Sequence, residues 1–506
     1  MSNYLKLFET TNEYTQYIEQ GSPLLPNVSY TEDTLKVYYN PIPHDYSKDY
    51  FTIVVTEGGH IEFDTQYTDG DISISKDNGE TWEIYNTEGI DVYEGDTISV
   101  KCMLNNSHSY GYAFITNNTY SDVKAKIQGN IMSLLLSDNF MGVTALLESC
   151  LYSLFQNCEW LIDAQNLVLP ATTLVEECYS NMFYGCMNLV TAPKVLPATT
   201  LANGCYTDMF DGCTSLVTAP ELPATTLADS CYSNMFYGCT SLVTAPELPA
   251  TTLADSCYNA MFRACTSLST APELPATTLA DSCYFYMFNG CTSLVNAPEL
   301  PATTLAGSCY NYMFRGCTRL ITAPKLPATT LEDSCCLNMF QNCTSLTTAP
   351  KLPAITLARS CYEHMFDGCT SLTTAPELPA ITLARACYLS MFSGCTSLTT
   401  APKLPAITLA TECYYQMFQG CTRLITAPEL PATTLAAYCY QNMFQNCTSL
   451  NYIKALFTTT PSTTYTKNWV SGVASTGTFV KNSAATWTTT GVNGIPTGWT
   501  VVNDNA

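Results

Sequence analysis

Positive charge is scarce in this sequence: 20 Lys and Arg stand against 43 Asp and Glu, a formal net charge of −23. With no basic face to neutralise phosphates, nucleic acid is excluded as a partner and an anionic membrane surface is a poor one. Histidine is rarer still, with His44, His60, His108 and His364 scattered through 506 residues. No Ser, Cys or Lys stands in a nucleophile motif beside them, so no enzyme and no cofactor is expected. Nor does any run approach the roughly 18 consecutive apolar residues of a membrane-spanning helix. The opening MSNYLKLFETTNEYTQYIEQG lacks the basic region, apolar core and small-residue cleavage site of a secretory signal. The expectation is a product made in the cytoplasm without a signal peptide.

What the chain does have is repetition. The stretch Leu222–Glu247, LPATTLADSCYSNMFYGCTSLVTAPE, recurs every 26 residues from Cys205 to Cys439, and looser copies begin around Cys150 and Cys178. A fixed period of this size means stacked units, because one unit cannot bury its own apolar face. Cys231, Met235, Phe236 and Cys239 fall on one side of a short helix, so the spacing predicts a helix over Ala228–Cys239. Ser241–Leu248, with Pro246 inside it, predicts one short edge-like strand per coil. The residue before the second cysteine is Gly (Gly185, Gly238, Gly290) or Asn (Asn157, Asn342, Asn446), with Ala264 once, which marks a left-handed helix cap.

Of the 26 cysteines, all but Cys102 and Cys336 are the paired positions of twelve coils, from Cys150 and Cys158 to Cys439 and Cys447. Lying on the apolar face beside Met and Phe, they are expected to be buried thiols, not disulfides. The spacing of eight within a coil is wrong for zinc. Cys336, where other coils carry Tyr, is expected to be an exposed-side substitution.

The flanks differ in character. Residues 1–48 are rich in aromatics and are expected to dock onto a partner or to strap the next domain. Residues 49–128 are β-rich, with strands expected at Tyr50–Val55, Asp71–Ser75, Thr81–Tyr85 and Thr97–Met103, a small sandwich-like domain. Within it Ser75-Lys-Asp-Asn-Gly-Glu-Thr-Trp82 fits the box that sialidases carry several times; a single copy points to a structural hairpin around Asn78-Gly79. The array occupies 129–456. Residues 457–506 place Trp469, Phe479, Trp487, Ile495 and Trp499 to cap its last coil.

Inside the rigid frame three positions vary from coil to coil, the second, third and sixth after the first cysteine. They form a candidate binding stripe: Tyr237, Arg263, Phe285, Tyr286, Asn311, Tyr312, Arg315, His364 and Tyr415. The aromatic and polar mixture around Phe285, Tyr286, Tyr312, Arg263 and Arg315 suits stacking on sugars or anchoring a protein. A second candidate is the strand face, with its row of Thr244, Thr270 and their equivalents beside Glu221, Glu247, Lys325 and Lys351.

The Phe-x-Gly-Cys-x-x-Leu pattern followed by Leu-Pro resembles the BspA-like leucine-rich repeats. That implies an α/β repeat fold, a solenoid of about twelve 26-residue coils, and a binding scaffold. Leu25–Ser29 and Val37–Pro41 resemble opening segments of appendage proteins of crAss-like phages infecting Bacteroidales. The resemblance implies a virion protein that meets other virion proteins through its N-terminal region and binds a host surface glycan or protein. A bacterial surface adhesin or protein–protein interaction module is the alternative.

Overall fold

A computed structural model of the chain describes residues 44–65, 68–104, 114–117, 123–147 and 149–504. The two phage-like segments and all but the last residues of 1–48 lie outside them, as does His108. Eight strands precede the array: β1 (Phe51–Glu57), β2 (Gly59–Phe63), β3 (Ser73–Ser75), β4 (Glu83–Ile84), β5 (Ile90–Val92), β6 (Thr97–Lys101), β7 (Ile115–Asn117) and β8 (Lys124–Asn130). Most of them lie in a sheet ordered β4-β3-β6-β1-β8-β9, where β9 is Leu161–Val168; β5-β2-β7 form a second sheet. Phe63 and Tyr85 join the two edge-to-face at 5.2 Å, and the Tyr85 hydroxyl accepts from the Phe63 amide. The sequence reading missed β8, KAKIQGN, because Lys and Gln are weak strand formers. Its alternation was nevertheless present, with Ala125 and Ile127 buried and Lys126 exposed.

The predicted box folds as a hairpin between β3 and β4. Asn78 and Gly79 take positive φ, 59° and 90°. Asp77 accepts from the Thr81 amide at 2.8 Å and its hydroxyl at 2.6 Å. Trp82 Nε1 donates to the Gly79 carbonyl, closing the turn. These hydrogen bonds, the Thr81 hydroxyl first, hold the Asp77 carboxyl down at about 2.

The domain does not end before the array begins. β8 pairs antiparallel with β1 and parallel with β9. From β9 the ladder runs on by single bridges, Asp163 to Thr191, then Thr218, Thr244, Thr270, Asn296, Thr322, Thr348, Thr374 and Thr400. It resumes at Thr426 with Tyr452 and broadens into a parallel sheet of β10 (Tyr452–Ala455), β11 (Thr478–Asn482) and β12 (Thr500–Asp504). The expected strand of each coil is therefore reduced to one bridging residue. Prolines such as Pro246 and Pro249 lack the amide that a longer ladder needs, and full strands return only at the ends, where the Ala-Pro-x-Leu-Pro corner is absent.

The expected helix over Ala228–Cys239 is not formed either. Among the described residues the one α-helix is α1 (Ser133–Leu136), outside the coils. Every fourth residue of the segment is left-handed, with Ser230, Asn234 and Gly238 at φ 53°, 51° and 70°, which no α-helix allows. The backbone alternates its donors instead. The amides of Tyr232, Asn234, Phe236 and Gly238 reach carbonyls of the next coil at 2.8–3.0 Å, while Met235, Tyr237 and Cys239 close local turns three residues back. Thus Gly238 closes a turn and caps no helix.

This spiral turns the predicted side chains inward all the same. Cys231, Met235, Phe236, Cys239 and Leu242 are fully buried. Phe210, Phe236 and Phe262 stack at 5.6 Å with planes 3–4° apart. Burying each such Phe stabilises the array by roughly 2–3 kcal/mol. The second cysteine of each coil also makes a polar contact. From Cys186 to Cys447 each of these thiols lies 2.9–3.1 Å from the Phe carbonyl of the preceding coil, as Cys239 does with Phe210. All 26 cysteines are buried and free of disulfides.

Tyr232 is a further core column, stacked on Tyr206 at 5.7 Å and Tyr258 at 5.8 Å. Cys336 occupies that column with 1% of its surface exposed, so it is a core substitution and not the exposed-side one expected. It interrupts the tyrosine stack between Tyr310 and Tyr362. At the far end Trp469 packs on Tyr440 and Phe444, and Trp487 lies parallel to Phe457 at 5.1 Å.

Candidate functional site

Left-handed geometry decides how the stripe is built. In the third position after the first cysteine five of the twelve coils carry Asn or Asp, which accept positive φ at modest cost: Asn181, Asp208, Asn234, Asn338 and Asn442. Two successive coils place Tyr286 and Tyr312 there instead, at φ 56° and 58°. Their rings stack at 4.5 Å with planes 12° apart, and Phe285 meets Tyr286 edge-on at 4.4 Å. Arg263, from the coil before, lies 4.7 Å from the Tyr286 ring and 5.3 Å from Tyr237. Arg315 lies 5.5 Å from the Tyr312 ring. One contact chain therefore joins Tyr237, Arg263, Tyr286, Tyr312 and Arg315 across four coils.

The stripe is less exposed than its sequence suggests. Its side chains are half-buried, and Asn311 is buried at 5% exposure, its Oδ1 without a donor. Burial pushes the Tyr312 hydroxyl up, helped by its neighbour Tyr286. Among the described residues Arg385, with Glu412 at 3.1 Å, is the one arginine of six in an ion pair; Arg263 and Arg315 lie on tyrosine rings instead.

His364 and Tyr415 are not part of this cluster. His364 Nδ1 lies 3.1 Å from Asp367, which also accepts from Gln341 at 2.9 Å. Burial works against the Asp367 charge, but the hydrogen bonds from His364 and Gln341 outweigh it and hold the carboxyl below its ordinary range. Tyr415 lies four coils beyond Tyr312 and stacks on no ring among the described residues. At the other end are two carboxylates that sequence reasoning did not single out, Asp208 and Asp211. Burial pushes Asp211 up to about 7, aided by the charge of Asp208. The cationic and aromatic patch is thus fenced by acids on both sides.

The clefts of the molecule lie elsewhere, between successive Ala-Pro-Glu-Leu-Pro corners. One of about 550 Å³ is lined by Pro220, Glu221, Pro223, Pro246 and Glu247, and another of about 420 Å³ repeats it one coil on. They recur with the period and follow from the corner itself, so they single out no coil. The Tyr–Arg patch is singular.

A parallel stack of coils with a Leu, Phe and Cys core, preceded by a sheet domain, defines a leucine-rich-repeat protein with strands and few helices. The chain belongs to the BspA type leucine rich repeat region family, whose profile matches residues 146–269, 176–320, 261–399 and 388–468, together more than half of the chain. Among solved structures, a leucine rich cell surface protein from Faecalibacterium prausnitzii A2-165 is similar, at 17% identity and a TM-score of 0.34, over 77% of this chain and 94% of that one. No curated protein matches the chain.

Proposed function

We propose that this protein is a non-enzymatic recognition protein whose repeat array presents the Arg263–Arg315 patch to a surface glycan or protein of another cell. One observation carries the reading. Arg263, Tyr286, Tyr312 and Arg315, from the coils at Cys257, Cys283 and Cys309, converge into one contact cluster of stacked aromatic and cationic groups while the Phe and Cys core columns stay constant. Left-handed backbone costs a Tyr more than the Asn of other coils, yet Tyr286 and Tyr312 occupy it in successive coils and stack on one another. Alanine at Phe285, Tyr286, Tyr312 and Arg315 is expected to abolish attachment to target cells with the fold retained; unchanged attachment would sink the assignment.

The carrier we favour is a phage virion, with the N-terminal region held by other virion proteins. The phage-like segments Leu25–Ser29 and Val37–Pro41 support it. A bacterial surface adhesin serves the patch equally well. Mass spectrometry of purified virions and of host envelope fractions separates the two: stoichiometric presence in virions fits the appendage, and presence in the envelope alone overturns it.

A further inference from the structure

We propose that the ligand of the patch is an acidic glycan, a sugar chain bearing carboxylates at intervals, gripped by Arg263 and Arg315 across the tyrosine pair. The inference rests on the recognition reading above and narrows it. Sugar rings bind aromatic faces, but the central ring is occupied: Tyr312 stacks on Tyr286 from the following coil, and Arg263 lies over it from the preceding one. What the patch offers to an approaching molecule is therefore ring edges, phenol hydroxyls and guanidinium groups. Tyr and Arg also anchor protein interfaces, but such anchors sit in an apolar, desolvated core, and within this patch Phe285 alone is a purely apolar side chain. A neutral sugar would find the central ring, Tyr286, closed to stacking.

The two guanidiniums fit an anion for a second reason. Both lack a carboxylate partner among the described residues, as Arg319, Arg359 and Arg423 do, but of the arginines these two alone lie over tyrosine rings there. Held on aromatic rings, they keep their charge and their forked donors, which suit a carboxylate bidentately. They belong to coils two apart, so at strand spacing they are about 10 Å from each other. That is close to the repeat of a chain carrying a uronic acid on every second sugar. The net negative charge of the molecule does not forbid such a ligand, because screening at physiological salt confines charges to about 8 Å. Asp367 and Glu363 then limit the anionic stretch beyond Arg315, while Asp208 and Asp211, whose charge burial disfavours, do so more weakly at the other end.

The test uses the full chain and three probes: an octasaccharide of alternating glucuronate and N-acetylglucosamine, neutral maltooctaose, and whole target cells. The expected result is binding to the acidic octasaccharide that weakens with added salt, and none to maltooctaose. Arg263→Gln with Arg315→Gln should lower that affinity at least tenfold with the unfolding midpoint unchanged. Tyr286→Asn, which eases the backbone, should lower it as well, and this second variant guards against a loss caused by misfolding. Equal binding of both oligosaccharides, or undiminished binding by the double variant, overturns the proposal. If the wild type ignores the acidic octasaccharide while the double variant loses attachment to cells, the ligand class falls and the patch stands. If the double variant attaches as before, both fall.

Discussion

Two tyrosine stacks run through the same coils. The inner one, Tyr232, Tyr258, Tyr284 and Tyr310, is buried, with rings 5.8–6.0 Å apart at the pitch of the array. The outer one is two rings long, half-buried, closer at 4.5 Å, and seated on left-handed backbone. In the inner stack each ring is required by the coil before and the coil after, so the residue recurs. In the outer stack nothing in the frame asks for Tyr, and neighbouring coils carry Ala260 and Asn338 at the same place. Periodicity thus separates what holds the array together from what the array displays.

The separation can be broken first at its strongest point. Phe288→Ala removes one ring from a core column and should cost about 3–5 kcal/mol in chemical unfolding. The outer Tyr312→Asn should change stability by less than about 1 kcal/mol, since relief of left-handed strain offsets the lost stacking. Equal losses would mean that the outer pair is part of the frame.

Next in size is a neighbour rule along the left-handed column. A Cβ added at Gly368 would sit 2.2 Å from Asn342 Oδ1, whereas at Gly394 its nearest neighbour is the Gly368 Cα at 3.6 Å. Gly368→Ala should therefore cost about 2 kcal/mol and Gly394→Ala about 1, read as a difference in denaturant midpoint.

Cys336→Tyr extends the inner stack across its gap and should raise stability by about 1 kcal/mol, provided the flanking coils keep their spacing. A loss would show that Tyr310 and Tyr362 have closed over the thiol.

A separate test concerns pH. Because burial raises Asp211 from 3.8 to about 7, the folded chain holds a proton that the unfolded chain releases. The stability this brings is complete below about pH 4 and is lost as pH rises through about 7. The unfolding midpoint should fall across that window, and Asp211→Asn should flatten the fall.

Much of this was legible in the residues. The 26-residue period, the inward Cys, Met, Phe and Leu, the Asp77 hairpin and the free thiols needed only spacing and apolarity. Local backbone form was not legible: the i, i+4, i+8 spacing of Cys231, Met235 and Cys239 suits a helix as well as a spiral of four-residue turns, and only the αL residues Ser230 and Asn234 distinguish them. Tyr232 and its equivalents in most coils, a large ring beside the first cysteine, were a core signal that would have placed Cys336 correctly. The patch was visible as variation, but its grouping was not. Tyr237, Arg263, Phe285, Tyr286, Tyr312 and Arg315 converge because adjacent coils bring them together, while His364 and Tyr415 lie too many coils away.

The shared strand β8 sets the mechanics of the whole. It belongs at once to the N-terminal sheet and to the first rung of the array, so among the described residues one ladder runs unbroken across the junction. The array is then a lever arm with a fixed bearing, and the patch sits at a set reach and azimuth from the N-terminal sheet. Adding or removing one coil would shift that reach by about 5 Å without loosening the joint. Such an arm adjusts its working length in whole steps.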